Sequence, residues 1–245
     1  MANEKDLSSL AFESRNTCIS VLEGYERWAE IYDTTLNPVL ALEERYLEHL
    51  IPDLVRKNVL DLACGTGRWI PRLLARGARR VIGIDLSAAM LRVAGSKAGV
   101  RERVVLGDCA QLPFPDRLFD FALCSFALNH LANLDVMARE LARVLKGSSR
   151  LLITDMHPNT YEGGWRTGFR DERGAAQIET VRHTAERVIF SFVEGGFACL
   201  QEHNLVFGEP ELPIFLAAGK TTFFENACRF PAVKFYEFRR VDAPV

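Results

Sequence analysis

Three acids and two glycines in this sequence are spaced to hold a small charged molecule. Asp61 lies inside the apolar run Asn58-Val59-Leu60-Asp61-Leu62, and Gly65 and Gly67 follow directly. Asp85 ends Arg80-Val81-Ile82-Gly83-Ile84, twenty residues after Gly65, and Asp108 ends Val104-Val105-Leu106-Gly107. The glycines allow a sharp turn and a close approach of ligand to backbone. A carboxylate twenty residues on is placed to accept both hydroxyls of a ribose. The acid after the third run can accept from the amino group of a purine base.

The cofactor follows from what the pattern lacks. Dinucleotide sites place a Gly or Ala three residues after the second glycine, where this chain has Ile70. Asp61, just before the turn, would repel a pyrophosphate. It suits a ligand with a positive centre, such as the amino group and sulfonium of S-adenosylmethionine (SAM), with S-adenosylhomocysteine (SAH) as product. The candidate cofactor set is Tyr25, Tyr32, Asp61, Ala63, Gly65, Gly67, Asp85, Leu86, Asp108, Cys109 and Ser125. Transfer from SAM is an in-line displacement, so alignment is the main requirement and is worth roughly 7–11 kcal/mol. A base is needed only where the acceptor must lose a proton. Histidine suits that task, and His130 and His157, which follow the fourth and fifth strands, are the candidate catalytic residues. Each also reads as a histidine bonded to a loop carbonyl. His183 and His203 are tied to no cofactor strand, and His49 falls in a helix as a surface residue.

Residues 58 to 157 resemble the small-molecule branch of the class I SAM-dependent methyltransferases, near those of quinone biosynthesis. The resemblance rests on Val59-Leu60-Asp61-Leu62-Ala63-Cys64-Gly65-Thr66-Gly67, Gly83-Ile84-Asp85-Leu86-Ser87 and Gly107-Asp108-Cys109-Ala110-Gln111-Leu112-Pro113-Phe114. Phe119-Asp120 and Arg143-Val144-Leu145-Lys146-Gly147 continue it, and Lys146-Gly147-Ser148-Ser149 stands where the family has Lys-Pro-Gly-Gly. It implies the methyl donor and a seven-stranded, mostly parallel sheet with its last strand antiparallel. It also implies that an N-terminal helical pair lies over the cofactor, with Tyr32-Asp33 matching the family's Tyr-Asp. The Asn/Asp-Pro-Pro-aromatic sequence of nucleobase and glutamine N-methylating enzymes is replaced by Ser125-Phe126-Ala127-Leu128.

The elements that position these residues alternate. Cys18, Leu22, Tyr25, Ala29 and Tyr32 recur at helical steps. Asn37-Pro38 opens a second helix that Pro52 ends, so residues 1–52 read as a helical cap, with 1–15 frayed. Strand, glycine turn and helix (Trp69 to Ala75, closed by Gly77) form the nucleotide corner of a doubly wound α/β sheet. Ser87 caps a helix over Ala88 to Ala94, and Phe119 to Ser125 reads as a central strand covered on both faces. Leu134 to Leu145 reads as a helix closed at Gly147, and Leu151 to Thr154 as the fifth strand. Strict alternation implies parallel strands joined by right-handed crossovers. After Pro158 the pattern breaks. Residues 158–183 and 208–230 read as two insertions on the acceptor side, separated by a helix over Thr184 to Glu194 and followed by an antiparallel pair, Phe197 to Phe207 with Ala232 to Arg239.

Composition bounds the rest. The 245 residues suffice for one α/β domain, and a net charge of −2 gives no footprint for nucleic acid. The start shows no secretory signal, and the apolar run Leu118 to Leu128 contains Asp120 and is too short for a bilayer, so no membrane contact is expected. Six cysteines without a CxxC pair point to free thiols in a cytoplasmic protein, with no metal or metalloid site. The expectation is a SAM-dependent methyltransferase acting at O, C or N of a small, fairly apolar metabolite. The alternatives are a SAM-binding enzyme with a non-methylating reaction, such as a cyclisation, and a non-catalytic partner of another methyltransferase.

Overall fold

The computed structural model describes residues 17–242, so the reading of residues 1 to 15 lies outside it. Its centre is a seven-stranded sheet. The strands are β2 (Asn58–Leu62), β3 (Arg80–Asp85), β4 (Val104–Leu106), β5 (Phe119–Ser125), β6 (Leu145–Met156), β9 (Phe197–Leu205) and β10 (Val233–Arg240). Their spatial order is β4-β3-β2-β5-β6-β10-β9; β2 to β6 are parallel, and β10 is antiparallel to both β6 and β9. The order reverses between β2 and β5, which opens a crevice at their carboxyl ends.

Alternating residues feed two cores. Leu60, Leu62, Ala122, Cys124, Leu151 and Ile153 pack on one face against α5 (Leu134–Val144) and α7 (Ala185–Glu194). Val59, Val81, Phe121, Leu123 and Leu152 pack on the other, against α2 (Pro38–Leu50) and α3 (Ile70–Ala75). With helices on both faces, the central strands read as unbroken apolar runs. The cap signals act as anticipated: Asn37 Oδ1 accepts from Val39 N–H, Ser87 Oγ from Met90 N–H at the start of α4 (Ala88–Ser96), and Thr184 Oγ1 from Arg187 N–H.

Three local expectations change. Cys18 is not helical: Ser20 caps α1 (Val21–Tyr32), and Cys18 is an exposed residue of a short strand, β1 (Thr17–Ile19). The buried stripe of α1 is Gly24, Trp28 and Ala29 with Tyr25 and Tyr32 beside it, whereas Leu22 is exposed. Gly147 closes no helix, because the chain passes from Val144 straight into β6, and Ser148 takes the left-handed turn (φ 62°). Residues 158–183, read as an insertion, have regular structure of their own. They form a short helix, α6 (Pro158–Glu162), and a hairpin of β7 (Gly168–Asp171) and β8 (Gly174–Ile178). β8 pairs in parallel with β1, giving a second, three-stranded sheet. The second insertion contains α8 (Leu212–Ala217) and α9 (Thr221–Ala227).

These parts dock on the N-terminal helices. Trp28 stacks on Phe169 at 5.3 Å, and a Cβ on Gly24 would lie 2.7 Å from Ile178 Cδ1, so only glycine permits this approach of α1 to β8. Arg27 forms a two-pronged pair with Asp171 (3.0 and 2.9 Å), and Arg45 of α2 pairs likewise with buried Glu211 (2.7 and 2.9 Å).

Candidate functional site

Six of the candidate cofactor residues meet at the crevice because they end or directly follow neighbouring strands. Asp61 and Ala63 end β2, Asp85 and Leu86 end β3, and Asp108 and Cys109 follow β4. Ala63, Gly65 and Gly67 all have positive φ (52°, 54° and 73°), which folds the backbone back on itself after β2. Asp85 fixes this turn: its Oδ2 accepts Gly65 N–H at 2.7 Å and its Oδ1 accepts Ser87 N–H at 2.8 Å. Burial pushes the Asp85 carboxyl above the usual carboxylate range, while these amides pull it down.

Asp61 is the acid that lacks a partner. It is 1% exposed, its Oδ2 makes no hydrogen bond, and burial pushes its pKa up to about 8. A buried carboxyl oxygen without a donor is costly; the Arg68 charge already favours the ionised form, and a ligand's ammonium or sulfonium would favour it further. Leu86 and Leu106, 55% and 59% exposed at adjacent strand ends, offer apolar surface to a flat base. Asp108 is exposed, its Oδ1 accepting from Ala110 N–H at 2.8 Å, and desolvation pushes the half-buried Cys109 thiol up to about 12. The residues present therefore fit SAM.

Tyr25 and Tyr32 of α1 flank the crevice. Both phenols feel the charge of Asp85, and burial holds Tyr25 well above its ordinary pKa and pushes Tyr32 up to about 12. Below them is a polar knot that no local sequence signal indicates. Glu43 of α2 is fully buried, and its carboxylate accepts from Arg68, Thr154 and Ser125 (Oγ, 2.7 Å). Arg68 Nη2 also donates to Ser125 Oγ at 3.1 Å. The Ser125 hydroxyl is thus engaged by Glu43 and Arg68. On the other side of the glycine turn, Asp33 accepts from Thr66 Oγ1 (2.7 Å) and pairs with Lys97 (2.6 Å).

The two candidate histidines part company. His130, at the end of the short 3-10 turn Leu128–His130 after β5, places Nε2 2.8 Å from the Tyr25 hydroxyl. Burial lowers its pKa to about 4, opposed by a hydrogen bond to the Glu179 backbone, so the ring is neutral at physiological pH. His157 instead caps α6, its Nδ1 accepting Asn159 N–H at 3.2 Å, and burial and Lys234 hold its pKa down. Its Nδ1 is engaged in that cap, whereas His130 meets the Tyr25 hydroxyl. The loop-carbonyl role falls to His183, which bonds Leu131 O at 2.8 Å; His203 bonds Gln201, and His49 is exposed.

Two further polar residues at the strand ends escaped the sequence reading. Asp155, at the end of β6, is buried and accepts from Asn129 N–H (2.7 Å) and Met156 N–H (2.6 Å); burial pushes it up to about 7. Asn129 donates through Nδ2 to the Tyr161 hydroxyl at 2.8 Å. Phe126, with φ of 53°, is a second non-glycine residue in left-handed geometry at a strand end of the crevice. Among the described residues, no three His, Cys, Asp or Glu side chains converge as a metal site, and no helix is long and apolar enough to cross a membrane.

Comparison with known proteins agrees with this geometry. Residues 59–148 match the methyltransferase domain family. The chain is 40% identical over 140 residues to the demethylmenaquinone methyltransferase of Thermobifida fusca, covering 54% of this chain and 58% of that enzyme, so it spans little more than half the length of this relative. It is 30% identical over 171 residues to an uncharacterized methyltransferase of Geobacillus thermodenitrificans, covering 66% of this chain and 74% of that protein. The fold is shared with a SAM-dependent methyltransferase structure from Mesorhizobium loti (TM-score 0.65, 20% identity, 83% of this chain and all of that one). The glycine turn, the three strand-end acids and these matches together place the chain in the class I SAM-dependent methyltransferases.

Proposed function

We propose that this chain moves the methyl group of SAM to a small, fairly apolar acceptor, with Tyr25 and His130 handling the acceptor's proton. The observation that carries this reading is the 2.8 Å contact between the Tyr25 hydroxyl and His130 Nε2, beside the cofactor crevice. When bound, SAM supplies a carbon already activated by its sulfonium. The remaining work is alignment, exclusion of water and removal of a proton. His130 is kept neutral by burial, which leaves its ring free to accept a hydrogen bond; with a pKa of about 4 it takes a proton fully only when the bound reactants place negative charge beside it. Tyr25 projects from α1 to His130 and presents a hydroxyl able to pass a proton on. Its ring is stacked with Trp28 (6.0 Å) and edge-on to His130 (5.2 Å), which fixes both partners.

Trp165, Phe207, Phe215 and Phe224 form a chain of ring contacts that packs the two insertions together, with Phe207 and Phe215 buried in the core, so the support for the acceptor class comes from the relatives. Relatives named for demethylmenaquinone and 2-phytyl-1,4-naphtoquinone methylation make an apolar ring compound the first acceptor class to try.

Radiolabelled SAM incubated with the chain and a bacterial extract, fractionated into small molecules, protein and RNA, tests the proposal. Label in the small-molecule fraction is expected. Label in protein or RNA would overturn the acceptor class. SAH-free turnover of a true substrate would favour the non-methylating alternative.

A further inference from the structure

We infer that Asp33 and Lys97 are positioning residues: they clamp Thr66 in the cofactor turn and bond that turn to α1, so that a bound cofactor seats Tyr25 on His130. The inference rests on the methyl-transfer reading above and concerns how its two sites are joined. Thr66 stands between Gly65 and Gly67 and is 1% exposed. It is gripped at both ends. Its hydroxyl donates to Asp33 Oδ1 (2.7 Å), and its carbonyl accepts from Lys97 Nζ (2.7 Å). Lys97 closes the ring by pairing with Asp33 Oδ2 (2.6 Å). Asp33 caps the end of α1 and Lys97 the end of α4, so three distant parts of the chain meet in one closed circuit.

The circuit leads to chemistry at both ends. Gly65, next to Thr66, is held by Asp85, so a ligand that orders this turn also orders Thr66. Asp33 directly follows α1, a continuous helix from Val21 to Tyr32. On that helix Tyr25 meets His130 Nε2 at 2.8 Å. Trp28 and Ala29 of α1 also pack with Ala89 and Met90 of α4. Apolar packing is non-directional; the Thr66–Asp33 bond fixes where on that surface α1 sits.

The strength of the clamp suits a coupling role. α2 is tied to the same turn by fully buried Glu43 on Arg68, a pair that parts only at a large penalty. Asp33 and Lys97 keep 34% and 32% of their side chains in water, where an ion pair is nearly balanced against its hydration. A ligand that favours one state of Thr66 therefore shifts this link and leaves α2 in place. The linkage is reciprocal, so seating α1 also tightens cofactor binding.

Hydrogen–deuterium exchange of the full chain, with and without saturating SAH, tests this. In the parent, SAH is expected to slow exchange by about fivefold or more both at Gly65 to Arg68 and across α1. Thr66→Val removes the hydroxyl and alters no atom of α1; it should keep the slowing at the turn and lose it in α1, and Thr66→Ser should restore it. Asp33→Ala should behave as Thr66→Val does, and it decides if Thr66→Val does not fold. Lys97→Met should weaken SAH binding by about threefold to fivefold. An α1 that ignores SAH in the parent, or still responds in Thr66→Val and Asp33→Ala, would overturn the inference, as would unchanged SAH affinity in Lys97→Met. No slowing at Gly65 to Arg68 would overturn the cofactor placement and this inference with it. Failure of Tyr25 and His130 as proton carriers would leave the α1 response intact, which keeps the two failures apart.

Discussion

Arg68, the residue directly after Gly67, is gripped by the fully buried carboxylate of Glu43 on α2. The cofactor turn is thereby bonded to the N-terminal helices as well as to the sheet. Removing one member leaves a buried charge uncompensated. Glu43→Ala should cost about 3–5 kcal/mol, whereas the paired replacement Glu43→Leu with Arg68→Met should recover much of that loss. Urea unfolding reads both. A single variant as stable as the parent would show that water already reaches the guanidinium.

The Tyr25–His130 contact predicts a split between binding and turnover. Tyr25→Phe and His130→Ala should each lower kcat by about 10²–10⁴-fold while SAH affinity, followed by calorimetry, stays unchanged. If both variants turn over at the parent rate, the acceptor needs no protein base.

Asp61 predicts proton release on cofactor binding. Its carboxyl binds a proton more tightly in the folded chain, with a pKa raised to about 8 by burial. The stability this supplies is complete below the unfolded value near pH 4 and is lost as pH rises toward 8. A bound cation favours the ionised form, so SAM should displace a proton near pH 7. Calorimetry in buffers of different ionisation enthalpy measures that proton. Asp61→Asn should bind SAM more weakly, release no proton, and lose less stability between pH 4 and 8.

Ala63 predicts a stabilising substitution. It holds φ of 52°, where a Cβ is strained by about 1–2 kcal/mol. Ala63→Gly relieves that strain and should raise stability by about 1 kcal/mol, less the entropy glycine adds to the unfolded chain. A lower Tm would place the strain elsewhere in the turn.

What could be read from the sequence was what neighbouring residues encode. Asp61, Gly65, Gly67 and Asp85 announce the crevice because turn geometry and strand ends are local, and Asn37, Ser87 and Thr184 announce helix starts for the same reason. Glu43 sits in Leu42-Glu43-Glu44-Arg45 and reads as a solvent-facing helix residue; its partners Arg68, Ser125 and Thr154 are scattered along the chain. His157 looked like a base because it follows a strand, yet the Pro158 behind it starts a helix that it caps. The hairpin at 168–178 was hidden because its parallel partner is only Thr17–Ile19. Three residues carry no readable period.

That pairing has a consequence for synthesis. β1 cannot find its place until β8, ending at Ile178, has left the ribosome, and α1 lacks the Ile178 and Phe169 surfaces until then. Synthesis runs at roughly 5–20 residues per second, so β1 waits about 8–30 s for its partner. The cofactor strands β2 to β5 emerge meanwhile. The nascent chain therefore has the strands of its nucleotide corner before α1 can dock over them, so β1 and α1, made early, settle late.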